Sequence, residues 1–193
     1  MIDSLSEYEM KLVQDADLLL TKNKIIQKVY EVFGKLSEFY KQSSSNKNLP
    51  VVNAISAKIS RGENYKGLPY VILDYPRHFG KVDVFAVRTF FWWGNFFSIT
   101  LHLSGQYKSD YIAAVKSAMN QNLFEGWFVS CGDDPWQHHF ERDNYTPLQL
   151  EKGCDFEGSS YLKLAKKIPL DKWDEVERFC ESNFSFLMEV LGS

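Results

Sequence analysis

Val82-Asp83-Val84-Phe85-Ala86-Val87-Arg88-Thr89-Phe90-Phe91-Trp92-Trp93-Gly94-Asn95-Phe96-Phe97-Ser98-Ile99-Thr100-Leu101-His102-Leu103 is the stretch that decides the fold of this chain. Residues 82–93 and 96–103 are rich in β-branched and aromatic side chains. Gly94-Asn95 between them has the spacing of a tight hairpin, with Gly where a type II′ turn needs a positive φ. A two-residue turn sets Trp92 opposite Phe97, Phe90 opposite Ile99, Arg88 opposite Leu101 and Ala86 opposite Leu103. Arg88 then stands as the lone charge on an apolar face, where a guanidinium requires a carboxylate or a ligand anion. An internal salt bridge is the commoner of the two outcomes. His102 falls on the other face with Thr100 and Ser98, as a hydrogen-bonded sheet histidine.

Working outward, the same period of two recurs at Ile55, Ala57 and Ile59 and again over Tyr70–Tyr75, joined by a turn over 61–67. Pro76-Arg77-His78-Phe79-Gly80 turns the chain into the hairpin. After Ser104 a helix of roughly a dozen residues carries Tyr111, Ile112, Val115 and Met119. Strands are expected over 123–131 and 160–168. Pro169 opens a last helix through Trp173, Val176, Cys180, Leu187 and Leu191. At the N-terminus, Ser4-Leu5-Ser6-Glu7 has capping-box spacing before Leu5, Tyr8, Leu12, Ala16 and Leu19. A second stripe, Ile25, Val29, Phe33, Leu36 and Tyr40, completes a helical hairpin over residues 1–42 whose apolar faces must pack on the sheet. The expectation is a single α+β domain over 1–193. It has a mostly antiparallel sheet of about five to seven strands, the N-terminal helical hairpin, one middle helix and a C-terminal helix.

The chain has 193 residues, 45% hydrophobic and 24% charged, with a net charge of -3. That balance, without a basic stripe, argues against nucleic acid as a partner. No apolar run is long enough to span a bilayer, and Met1–Leu20 lacks the apolar core of a signal peptide, so a cytoplasmic, membrane-free protein is expected. Cys131, Cys154 and Cys180 have no C-x-x-C spacing and read as reduced structural thiols; no zinc-like ligand set, and hence no metal or other cofactor, is expected. Gly62-Glu63-Asn64-Tyr65-Lys66-Gly67 starts like a phosphate loop but continues Leu68-Pro69, without the lysine and hydroxyl that hold phosphate and magnesium.

Residues 132–158 form a long segment without period, and length of that kind often marks function. It contains Asp133-Asp134-Pro135-Trp136-Gln137-His138-His139-Phe140-Glu141-Arg142-Asp143. Two functional readings follow. The first is a non-catalytic binding domain for a small apolar or aromatic molecule, or for a protein partner. In it the hairpin's Trp92 and Trp93 meet the loop's Trp136 and Phe140 around a recess with Arg88, His138 or His139 as polar anchors. The second is an acid/base or metal-dependent enzyme using Asp133, Asp134, His138, His139 and Glu141. Adjacent residues of extended chain point apart, so His138 and His139 are not expected to share one ion. Convergence on one cavity separates the readings.

Overall fold

The computed structural model describes residues 4–47, 49, 51–52, 54–148 and 158–192. Its centre is an antiparallel sheet of β1 (Lys58–Tyr65), β2 (Leu68–Phe79), β3 (Val84–Trp92), β4 (Phe96–Ser104), β5 (Phe128–Ser130), β6 (Tyr145–Pro147) and β7 (Tyr161–Pro169). The strand order is β1-β2-β3-β4-β7-β5-β6. Four helices accompany it: α1 (Glu7–Gln14), α2 (Ala16–Ser44), α3 (Gly105–Asn120) and α4 (Val176–Leu191), the last entered through a 3-10 turn over Leu170–Glu175. The α+β antiparallel architecture expected from the sequence is present.

The β3–β4 connection differs by one residue from expectation, and the difference matters. The turn holds Trp93-Gly94-Asn95, so Trp92 pairs with Phe96, Arg88 with Thr100 and Ala86 with His102. Gly94 occupies the left-handed region at φ +70, the geometry of a three-residue hairpin loop closed by a glycine bulge. A one-residue slip in register exchanges the two faces of a strand relative to its partner. His102, Thr100 and Ser98 therefore share a face with Arg88, and Leu101 and Leu103 lie on the other. The β1–β2 turn is also tighter than the seven residues expected. Lys66 and Gly67 both have positive φ, as a two-residue type I′ turn requires, and β1 runs on to Tyr65.

One face of the sheet carries the main core. Phe85, Val87 and Phe91 of β3 and Phe97, Ile99, Leu101 and Leu103 of β4 pack with Val29, Phe33, Leu36 and Tyr40 of α2 and Cys180, Phe184 and Leu187 of α4. Tyr40 stacks on Phe184 with ring centroids 3.9 Å apart and hydrogen-bonds the Thr89 hydroxyl at 2.8 Å. The aromatic hairpin is thus covered on this side by helices. At the N-terminus the helical break falls at Asp15, whose side chain accepts from the Leu18 N–H at 3.0 Å. The capping box is formed by Ser6 and Glu9, two residues later than the spacing at Ser4 suggested. α1 buries no residue, and the packing on the sheet comes from α2.

The other face is covered by chain instead of helix. Residues 132–144 cross it, and within the expected loop Tyr145–Pro147 forms the edge strand β6; residues 149–157 of that loop lie outside the described residues. The expectation of reduced thiols holds for Cys180, which is free and buried. Cys131 is instead disulfide-bonded, a pairing that spacing alone does not encode. Cys154 lies outside the described residues.

Candidate functional site

The helix-free face carries two adjacent rungs of polar side chains. On one, Asp74 of β2 stands opposite Arg88 of β3, which stands opposite Thr100 of β4. On the next, Ala86 pairs with His102, and His102 with Lys163 of β7. Strand alternation puts all of these on one side of the sheet, and the register therefore gathers three basic residues and one acid under the crossing loop.

Arg88 is held by a two-pronged contact to Asp74, Nε to Oδ1 at 2.7 Å and Nη2 to Oδ2 at 2.9 Å, with side chains 15% and 6% exposed. This is the internal carboxylate that the sequence called for. Arg88 Nη1 lies 3.1 Å from His138 Nε2. A guanidinium has only donors, so His138 Nε2 accepts and its proton resides on Nδ1. Burial, with the charges of Lys163 and Arg88 adding to it, pushes the His138 pKa well below that of free histidine. His138 is therefore a neutral, tautomerically fixed acceptor.

Lys163 is 1% exposed. Its ammonium donates to the carbonyl oxygens of Pro135 at 2.8 Å and of Gln137, both in the crossing loop. Burial, then the nearby Arg88 charge, lowers its pKa to about 7, against a small opposing pull from Asp134. Burial and the charges of Lys163 and Arg88 push His102 down to about 3. Phe79, Arg88, Thr100, His102, Pro135, Trp136, His138 and Lys163 enclose a recess of about 10 Å³, room for a single water molecule at most. Trp136 is its roof. The indole sits edge-on to His102 at 5.2 Å and against Phe79 at 5.9 Å, and is 46% exposed.

The loop is fastened at its far end through Tyr65. The Tyr65 hydroxyl accepts the backbone N–H groups of His138 at 2.6 Å and His139 at 3.0 Å. Both lone pairs are thereby used, and the hydroxyl proton has two acceptors within reach, His139 Nδ1 at 3.0 Å and Gln137 Oε1 at 3.2 Å. A carboxylate oxygen only accepts, so His139 Nε2 carries the proton and donates to Asp143 Oδ1 at 3.1 Å. One ligand atom from each of His139, Glu141 and Asp143 lies within 4.8 Å of the others, so these three could meet around a cation. In the tautomer that Asp143 imposes, however, His139 Nε2 has no lone pair for a metal and Nδ1 faces the Tyr65 hydroxyl, so the group is a hydrogen-bonded anchor.

The loop acids do not converge on the recess. Asp133 is exposed. Asp134 shapes the turn by accepting from the Trp136 N–H at 2.9 Å and Gln137 Nε2 at 2.7 Å, and these bonds lower its pKa. Glu141 pairs with Lys66 at 2.9 Å on the surface. As extended backbone dictates, His138 points into the recess and His139 away from it.

Among the aromatic candidates, the loop and the hairpin do meet, through Phe140. Its ring lies edge-on to Phe96 at 5.1 Å and stacks on Tyr145 at 4.6 Å, part of a second buried cluster with Ile72, Phe90 and Trp92. Trp136 packs elsewhere, at the Phe79 end. Trp92 is 5% exposed, with its indole N–H donated to the Tyr65 carbonyl at 3.2 Å. Trp93 packs against the helix-side core. Neither Trp92, Trp93 nor Phe140 lines the recess, which gathers Arg88, Trp136 and His138 of the expected set and adds Lys163, His102 and Thr100. Asp74 was legible as the lone acid in Val71-Ile72-Leu73-Asp74-Tyr75. Lys163 was not, because Lys163, Lys166 and Lys167 together read as a half-solvated strand.

Compared with known proteins, the chain matches no family model, no curated protein and no solved structure. Function is therefore argued from the chemistry of the site.

Proposed function

We propose that this protein is a binding domain for a small molecule carrying an anionic group on a flat apolar body, taken up between the sheet and the Trp136 roof. The observation that carries this reading is an excess of buried basic groups. Arg88 and Lys163 face one recess with Asp74 as the single buried carboxylate among the described residues, and the neighbouring His102 and His138 are neutral. Burying cationic groups without matching anions is costly, and the ammonium of Lys163 relies on two loop carbonyls. An anion can replace those carbonyls when the 132–137 segment lifts. Phe79, 40% exposed, and Trp136 then supply apolar surface for the rest of the ligand. The acid/base reading lacks support because Asp133, Asp134 and Glu141 lie outside the recess.

No helix among the described residues is long and apolar enough to cross a membrane. A cytoplasmic location stays a proposal, and the Cys131 disulfide weighs against it, since such bonds persist in oxidising compartments.

Titration calorimetry with benzoate and with inorganic phosphate at neutral pH tests the function. Binding of one or both, abolished in Lys163→Met, is expected, and Trp136→Ala should weaken benzoate more than phosphate. Absence of heat with both anions, or binding indifferent to Lys163→Met, would overturn the reading.

A further inference from the structure

The N-terminal arm presents an apolar surface that nothing else in the described chain covers. α1 buries no residue, and the first buried residue of α2 is Ile26. Along this arm Leu5, Tyr8, Leu12, Val13, Leu19 and Leu20 are 38% to 71% exposed. Leu18, Leu19 and Leu20 are consecutive, so at about 100° per residue their side chains sweep more than half of the helix circumference. Exposed apolar side chains gathered this densely on a helix mark an interaction surface. With Met10 and Leu18, eight large apolar residues of the arm are exposed. Each is roughly half exposed, and together they amount to about 800 Å² of surface, what one partner contributes to a standard interface.

The charge pattern says what the partner is. Glu7, Glu9, Asp15 and Asp17 outweigh Lys11 in the first part of the arm, and Lys22, Lys24 and Lys28 follow with no acid among residues 22–28. Lys22 is engaged by Glu63, whereas Lys24 and Lys28 are exposed. Such a segment is self-complementary when two copies run antiparallel, because a two-fold axis sets the acidic part of each against the basic part of the other. An anionic lipid surface would be repelled by the acidic half.

We infer that a second copy of this chain covers the arm, with the two arms antiparallel about a two-fold axis and their leucines between them. The inference is independent of the anion recess, which lies on the sheet face.

Sedimentation equilibrium of the full chain over a wide concentration range tests it. A mass of twice 22.4 kDa is expected. Leu12→Asp with Leu19→Asp should give a monomer with an unchanged circular dichroism spectrum of the sheet and core, since neither residue is buried. Lys24→Glu with Lys28→Glu should raise the dissociation constant tenfold or more. Adding Glu7→Lys and Asp17→Lys to that variant should restore the dimer, which parallel arms would not do. The inference is overturned by a monomer at all concentrations, by a dimer indifferent to Leu12→Asp with Leu19→Asp, or by failure of the fourfold charge exchange to restore it. A monomer that co-sediments with phosphatidylserine-containing vesicles would overturn it in favour of a membrane surface.

Discussion

Replacing Arg88 by Met removes the guanidinium from three contacts at once: Asp74 Oδ1 at 2.7 Å, Asp74 Oδ2 at 2.9 Å and His138 Nε2 at 3.1 Å. Methionine keeps much of the volume and buries apolar surface, which offsets part of the loss. What remains is the Asp74 carboxylate, 6% exposed, without its counter-charge. Breaking a buried pair by removing one partner costs about 3–5 kcal/mol, and the volume-matched replacement points to the lower end, about 3 kcal/mol. For a urea slope of about 2 kcal/mol/M, that is a fall of roughly 1.5 M in midpoint. Urea unfolding followed by tryptophan fluorescence and circular dichroism, at one fixed protein concentration, reads the effect. Asp74→Asn added to Arg88→Met removes the stranded charge and should recover half or more of the loss, because the larger part of the cost belongs to the orphaned carboxylate. A midpoint within 0.2 M of the parent, an order-of-magnitude resolution limit for such fits, would show that the pair is solvated and would refute the reasoning. So would a double variant less stable than the single one.

Acid should unfold this protein early through His102. Its folded pKa is depressed to about 3, so its contribution is complete above the unfolded value near 6.5 and is lost as pH falls from there towards 3. The full span is worth about 5 kcal/mol. His102→Gln should halve the slope of stability against pH between 6 and 4, with His138, shifted in the same direction, carrying the rest; an unaltered slope in urea midpoints would count against the contribution of His102. Phe96→Ala and Phe140→Ala should be non-additive by about 0.5–1.5 kcal/mol in a double-mutant cycle, because the rings share one contact. Trp92→Ala and Trp136→Ala, at opposite ends of the loop, should add within about 0.3 kcal/mol. Burial pushes the Cys180 thiol up to about 12, so a thiol reagent such as dithionitrobenzoate should leave it unmodified in the folded protein and titrate it on denaturation. A thiol count that rises on reduction would establish the bond at Cys131.

The architecture could be read from the sequence because the signals were local. Alternation marks the central strands, and the 3.6-residue stripe through Val29, Phe33, Leu36 and Tyr40 marks α2. The requirement that Arg88 find a carboxylate was also legible, since an unpaired buried guanidinium is forbidden wherever it points. What escaped was geometry set by single residues. One additional residue in the Trp93-Gly94-Asn95 turn moved His102 to the face of Arg88, and so turned a bystander into part of the recess. Lys163 escaped because its burial is imposed by the loop crossing above it, and neither β7 nor the loop shows in its own sequence that the other is there. The loop acids looked like chemistry because they are adjacent in sequence, yet Asp134 only builds a turn and Glu141 only meets Lys66 on the surface. Tyr65 escaped for the converse reason: it acts on His138 and His139 from far along the chain, as a clamp that no motif announces.

The titration of Lys163 itself tests the account most directly. In protein labelled with 13C at the lysine Cε positions, the Lys163 resonance, assigned through Lys163→Arg, should titrate with a midpoint of about 7 in the free protein. Saturating benzoate or phosphate should move that midpoint upward by about one unit or more, because a bound anion beside the amine favours its charged form. A midpoint near that of free lysine, about 10.4, would contradict the buried basic recess. A midpoint of about 7 that neither anion moves would contradict the function proposed for it.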